Sequence, residues 1–219
     1  MSEFFIPTYE QKWVLHLIFI RIPKNASTSV YQHLGNFNLV NKHSQLFNKN
    51  ANKPLYKGWF DPTHAKPNEI AELLPVKCSD YFSFAIVRNP WDRFVSMYSF
   101  SKKMNLWKLF DLKSEPSFET FCSITQEKFS NKASDFFPIQ DQCQWLEGPF
   151  KPKQILKFEN LQLDFSKMLK DLRIDHINQI LPHLNSTVHK NYEHYYTAKS
   201  RKLVEQIYAR DIEKFKYSF

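Results

Sequence analysis

The chain has 219 residues, and its 42% hydrophobic and 16% aromatic content against only 3 Gly excludes collagen-like, Gly/Ser-linker and disordered chains while supplying one domain with a packed core. The net charge of +8 is concentrated early: residues 1–110 hold 14 basic and 7 acidic side chains, residues 111–219 hold 16 and 15. An anion is drawn to the first half, and nucleic acid, an anionic membrane surface or a small polyanion all satisfy such a field.

The longest apolar stretch, Trp13 to Ile22, carries His16 and Arg21 and is too short to span a bilayer. The first residues lack the pattern of a secretory signal, so an unexported, cytoplasmic protein with no transmembrane segment is expected. Cys78, Cys122 and Cys143, odd in number and widely spaced, suit neither a disulfide framework nor a CxxC site and read as reduced, buried thiols.

Within that stretch, Val14–Ile20 is β-branched and aromatic and runs into Pro23, which predicts a buried strand ending in a loop, with His16 packed in the core. Ser27–Leu34 follows as a helix with Val30 and Leu34 on one face and Gly35 as its stop. Lys66-Pro67-Asn68-Glu69 opens a short helix whose Ile70, Leu73 and Leu74 face a core, with Thr63-His64 just ahead of it. Tyr81–Val87 is strand-like, and Asn89-Pro90-Trp91-Asp92 supplies an N-cap, a proline at the first helical position and an acid at the third, for a helix to about Lys102. A helix over Ser117–Phe129, a strand over Ile155–Phe158, a helix over Asp164–Leu172 and a final helix over Thr197–Lys216 complete the pattern. Strands alternating with helices predict an α/β fold: a single, P-loop-like domain over residues 1–219, with a mostly parallel central sheet flanked by helices and ligands bound beyond the carboxyl ends of the strands.

Two strand-to-helix loops carry chemistry. Arg21-Ile22-Pro23-Lys24-Asn25-Ala26-Ser27-Thr28-Ser29 has the parts of an anion cradle: a lysine, three consecutive hydroxyls and the exposed N–H groups of a helix start. It contains no glycine, and its lysine does not abut the hydroxyls, so the GxxxxGK[ST] pattern of nucleotide triphosphatases is absent. Ser27 and Thr28 as plain helix caps, with Lys24 on the surface, is the other reading of this loop. In the second loop, Arg88 ends a strand and Ser96 lies eight residues on, a spacing that lets both reach one phosphate. An arginine that is only ion-paired, to Asp92, is the alternative.

Together these stretches resemble the sulfotransferases that use 3′-phosphoadenosine-5′-phosphosulfate (PAPS), in particular the branch holding the heparan and dermatan uronyl 2-O-sulfotransferases. Ile22–Ser29 is similar to the family's 5′-phosphosulfate loop, and Val87-Arg88-Asn89-Pro90-Trp91-Asp92-Arg93-Phe94-Val95-Ser96-Met97-Tyr98 to its 3′-phosphate motif. Weaker similarity runs through Phe158-Glu159-Asn160-Leu161 and Tyr208–Ile212. Arg21 stands where histidine is common, Asn25 where threonine is, and Ser27 where glycine is.

The resemblance implies in-line sulfuryl transfer from PAPS to an acceptor hydroxyl, here expected on a carbohydrate, leaving 3′,5′-ADP, with no metal and no nucleic acid involved. It makes Lys24 catalytic, assigns Lys24, Asn25, Ala26, Ser27, Thr28 and Ser29 to the 5′ end of the donor, and gives Arg88 and Ser96 the 3′-phosphate. Thr63-His64-Ala65-Lys66-Pro67 resembles the segment bearing the base in the carbohydrate branch, so His64 is the expected base and His43 the reserve. A histidine that merely precedes a helix is the competing reading of His64. For the whole chain, the rivals are a small kinase using ATP and a basic nucleic-acid-binding domain. The Tyr192–Tyr196 cluster, with His189 and His194, either lines an acceptor groove or packs, and Lys199, Arg201 and Lys202 either meet an anion or form a polar helix face.

Overall fold

A computed structural model of the chain describes residues 5–7, 13–15, 17–35, 64–73, 81–130, 140–174, 180–181 and 191–219. Its strands are β1 (Phe5–Pro7), β2 (Trp13–Leu15), β3 (Leu17–Ile20), β4 (Phe82–Val87) and β5 (Gln154–Lys157). Its helices are α1 (Ser27–Gly35), α2 (Pro67–Leu73), α3 (Pro90–Lys103), α4 (Phe118–Ser130), α5 (Leu161–Asp171), α6 (Ala198–Ile207) and α7 (Ala209–Phe215). They fall into two compact units, one drawn from residues 1–87 and 144–185, the other from 88–143 and 186–219. His16, His43, Thr63, Leu74, Cys78 and His189 lie outside the described residues.

The first unit is α/β, as the alternating pattern predicts. β3, β4 and β5 form a parallel sheet in that order, with Ile20 opposite Ala85 and Val87 opposite Lys157, so β4 and β5 end together and β3 two residues earlier. The central strand, β4, is buried from Phe84 to Val87, which is why it reads as an unbroken apolar run instead of an alternating one. Val30 and Leu34 of α1 and Phe165, Met168 and Leu169 of α5 close one core with Phe84, Ile86 and Leu156 of the sheet. Each such side chain, fully buried, contributes about 1.5–3 kcal/mol.

Two boundaries differ from the sequence reading. The strand expected over residues 14–20 is two strands: β2 pairs antiparallel with β1, and β3 pairs parallel with β4. A change of ladder partner leaves no mark on hydrophobic periodicity. α5 starts at Leu161, after a 3₁₀ turn over Phe158–Asn160, and Asp164 reaches back from its first turn to accept the Lys157 N–H at 3.0 Å.

The second unit is helical and aromatic. Trp91, Phe94, Met97 and Tyr98 of α3 pack with Trp107, Phe110, Phe121 and Val204, Ile207 and Tyr208. Asn89 caps α3, its side chain accepting the Trp91 N–H at 3.0 Å, with Pro90 at the first position. Thr197 caps α6 in a reciprocal box with Ser200. The single final helix of the sequence reading is interrupted at Tyr208, where φ −113° and ψ 27° leave the helical region and both Tyr208 and Asp211 become buried. Neither glycine nor proline marks that break.

Gly148 adopts φ +149°, and a Cβ there would stand 2.8 Å from Cβ of Pro67, at the start of α2. Gly148→Ala should lower stability by about 1–3 kcal/mol through this clash and the left-handed backbone. An unchanged denaturation midpoint would contradict the close approach.

Candidate active site

In the first unit, residues 21–26 join β3 to α1. Lys24 has φ 69° and Ala26 φ 56°, while Asn25 between them is not left-handed. Positive φ at two residues in the loop that opens α1 is a path that side chains disfavour. Without glycine, each left-handed residue costs roughly 1–2 kcal/mol, so the surrounding structure must enforce the conformation. Asn25 does so: fully buried, it donates from Nδ2 to the Ile86 carbonyl of β4 at 2.7 Å. Its side-chain amide thus ties the loop to the sheet. Ser27 and Ser29 are buried, whereas Lys24, Ala26 and Thr28 are partly exposed.

His64 is brought to the same loop. Its Nδ1 lies 2.6 Å from the Arg21 carbonyl. A carbonyl only accepts, so Nδ1 carries the proton and the neutral ring keeps its lone pair on Nε2, the tautomer a general base needs. The peptide is held as well: Trp145 Nε1 donates to the His64 carbonyl at 2.9 Å. Lys66, two residues on, donates to Gln144 Oε1 at 2.9 Å and lies 5.3 Å above the Trp145 ring. Trp145 and Gln144 went unnoticed in the sequence, being some eighty residues from His64 in a stretch with no periodic pattern.

The second loop belongs to the other unit. Arg88 follows Val87, the last residue of β4, and is buried. Its Nε donates to Asp92 Oδ2 at 2.8 Å, so the ion pair left open by the sequence is formed. Engagement through Nε holds one edge of the guanidinium on the Asp92 carboxylate. Ser96 is one turn beyond Asp92 on α3 and buried. The Arg88 peptide is gripped at both ends by a residue the sequence reading missed: its N–H donates to Gln142 Oε1 and its carbonyl accepts from Gln142 Nε2, each at 2.9 Å. Arg93, within the same motif, is structural: fully buried, it donates to the Gln140 carbonyl at 3.0 Å and lies over the ring of Tyr208, whose phenol burial holds in the neutral form.

Other sequence features resolve as packing. Tyr196 donates to the Trp91 carbonyl at 2.9 Å, Tyr192 and Tyr196 meet Phe219 edge-on, and Tyr195 meets Phe118. Lys199 pairs with Glu119, and Arg201 lies over the Phe219 ring. Cys122 and Cys143 are free and buried; burial raises both thiols, Cys143 to about 12. The sequence has no metal-ligand pattern, yet the fold gathers Asp141, Cys143 and Asp211 with their ligand atoms within 4.8 Å. The carboxylates there already serve protein donors: Asp211 accepts the N–H groups of Gln142 and Cys143, and Asp141 pairs with Arg210.

A sequence model of the sulfotransferase family matches residues 12–218, nearly the whole chain, and the protein belongs to that family. It is therefore an enzyme of the class that transfers sulfuryl groups from a donor to an acceptor. Among solved structures it is similar to the sulfotransferase from Alicyclobacillus acidocaldarius, with 13% identity and a TM-score of 0.42 over 93% of this chain and 99% of that one. No curated protein matches the chain. Among the described residues no helix is long and apolar enough to cross a membrane.

Replacing Asn25 with alanine leaves the Ile86 carbonyl unsatisfied and releases the left-handed loop, so it should cost about 1–3 kcal/mol of stability. Hydrogen exchange should show faster exchange at residues 24–28 than at the centre of α5. Wild-type stability and loop protection in this variant would mean that the bond does not hold the loop.

Proposed function

We propose that this sulfotransferase takes its sulfuryl group from PAPS and delivers it to a carbohydrate hydroxyl, with His64 as the base. The observation that carries this reading is the glycine-free loop, left-handed at Lys24 and Ala26, with His64 hydrogen-bonded to its first residue. In a chain of this family, a candidate anion loop thus has a histidine of the tautomer a base needs bonded to its first residue.

Lys24 neutralises charge developing on the leaving oxygen, and the N–H groups and hydroxyls of Asn25, Ala26, Ser27, Thr28 and Ser29 hold the 5′ end of the donor. Arg88, its guanidinium aligned by Asp92, and Ser96 take the 3′-phosphate, the group that separates this donor from ATP. His64 removes the acceptor's proton through Nε2 while Nδ1 stays on the Arg21 carbonyl. The sequence Ala26-Ser27-Thr28-Ser29 and the His64 segment favour the uronyl 2-O branch. The two free, buried thiols suit a cytoplasmic site of action.

Calorimetric titration tests the donor. The wild type should bind 3′,5′-ADP more tightly than 5′-AMP, and Arg88→Ala should weaken 3′,5′-ADP about 10- to 100-fold, the loss of a charged hydrogen bond of about 1.5–3 kcal/mol. His64→Ala should bind the nucleotide as the wild type does and lose about 10²- to 10⁴-fold in turnover. Tighter binding of ATP with Mg²⁺ than of 3′,5′-ADP would favour the kinase reading, and retained turnover would remove His64 from the mechanism. A radiolabelled-sulfate screen over glycans addresses the acceptor; transfer only to non-carbohydrate acceptors would overturn that part.

A further inference from the structure

We propose that Gln142 is a positioning residue that sets the preference for a 3′-phosphorylated nucleotide by fixing the peptide of Arg88. The inference rests on the reading of Arg88 as the 3′-phosphate ligand. The β4–β5 ladder ends at Val87 opposite Lys157, and Arg88 lies one residue beyond it. At that point the Gln142 side chain takes the part of a neighbouring strand. It accepts the Arg88 N–H on Oε1 and donates from Nε2 to the Arg88 carbonyl, both at 2.9 Å, from a fully buried position. Only a carboxamide offers a donor and an acceptor at this spacing: glutamate lacks the donor, and an aliphatic chain lacks both.

The orientation of the carboxamide is itself determined. Asp211, fully buried in α7, accepts from Gln142 Nε2 at 3.2 Å and from the Gln142 backbone N–H at 2.8 Å, and its other oxygen accepts the Cys143 N–H at 3.0 Å. A flipped amide would turn Oε1 toward both the Asp211 carboxylate and the Arg88 carbonyl, losing three hydrogen bonds. Gln142 therefore fixes the arginine at its peptide, while Asp92 fixes it at Nε. A guanidinium whose backbone is fixed as well as its Nε is better preorganised for a phosphate than one whose backbone is free to move.

The experiment measures the ratio of the dissociation constants of 5′-AMP and 3′,5′-ADP by calorimetry, alongside thermal melting. Gln142→Met, similar in length but lacking both hydrogen-bonding groups, should lower this ratio about tenfold, the scale of one charged-group hydrogen bond, with the 5′-AMP constant moving less than twofold. Asp211→Asn should shift the ratio in the same direction by a smaller factor, and it carries the test should Gln142→Met not fold. A wild-type ratio in the folded variants, or equal weakening of both nucleotides, would overturn the role of Gln142. A wild type with no preference for 3′,5′-ADP would instead overturn the reading of Arg88, and this inference with it.

Discussion

One buried hydrogen bond, from the Asn25 carboxamide to the Ile86 carbonyl, decides the shape of the loop on which the chemistry is proposed to depend. Between β3 and α1 the backbone turns twice through the left-handed region at residues with side chains, Lys24 and Ala26. Nothing local favours that path. The strain is tolerable because the loop is fastened at its middle to the central strand of a parallel sheet whose core is closed by α1 and α5. Packing of Val30, Phe84 and Phe165 thus bears on the loop geometry through the strand that Asn25 is fastened to.

A common device secures the residues assigned to chemistry. His64 and Arg88 are each held by the main chain as well as by the side chain. Trp145 grips the His64 carbonyl, and Gln142 grips both polar groups of the Arg88 peptide. Side-chain contacts then set direction: the Arg21 carbonyl selects the His64 tautomer, and Asp92 aligns the Arg88 guanidinium. Fixing the backbone first confines the remaining freedom to a few torsions, which lowers the entropy lost when a ligand is held.

Local signals in the sequence proved strong. The apolar run ending at Val87, the Asn89-Pro90 start of α3 and the Thr197 cap of α6 all stand where residue chemistry places them, because each depends on neighbours within a turn. What depends on distant partners was not legible. The strand expected through His16 changes partners beside it, and the final helix breaks at Tyr208 with no breaker residue, both for reasons of tertiary packing. In the candidate site, Lys24, the hydroxyls, His64, Arg88 and Ser96 are assigned through resemblance to family motifs alone. The left-handed turns without glycine were not legible, and neither were the grips of Gln142, Asp211 and Trp145, since a lone polar residue far along the chain carries no periodic signature.

The proposal that PAPS is the donor, with its 5′ end on the loop at Lys24–Ser29, meets its sharpest test in an experimental structure of the protein with 3′,5′-ADP. That proposal expects the 5′-phosphate on the N–H groups of residues 24–29. A nucleotide seated with neither phosphate on these groups would contradict it.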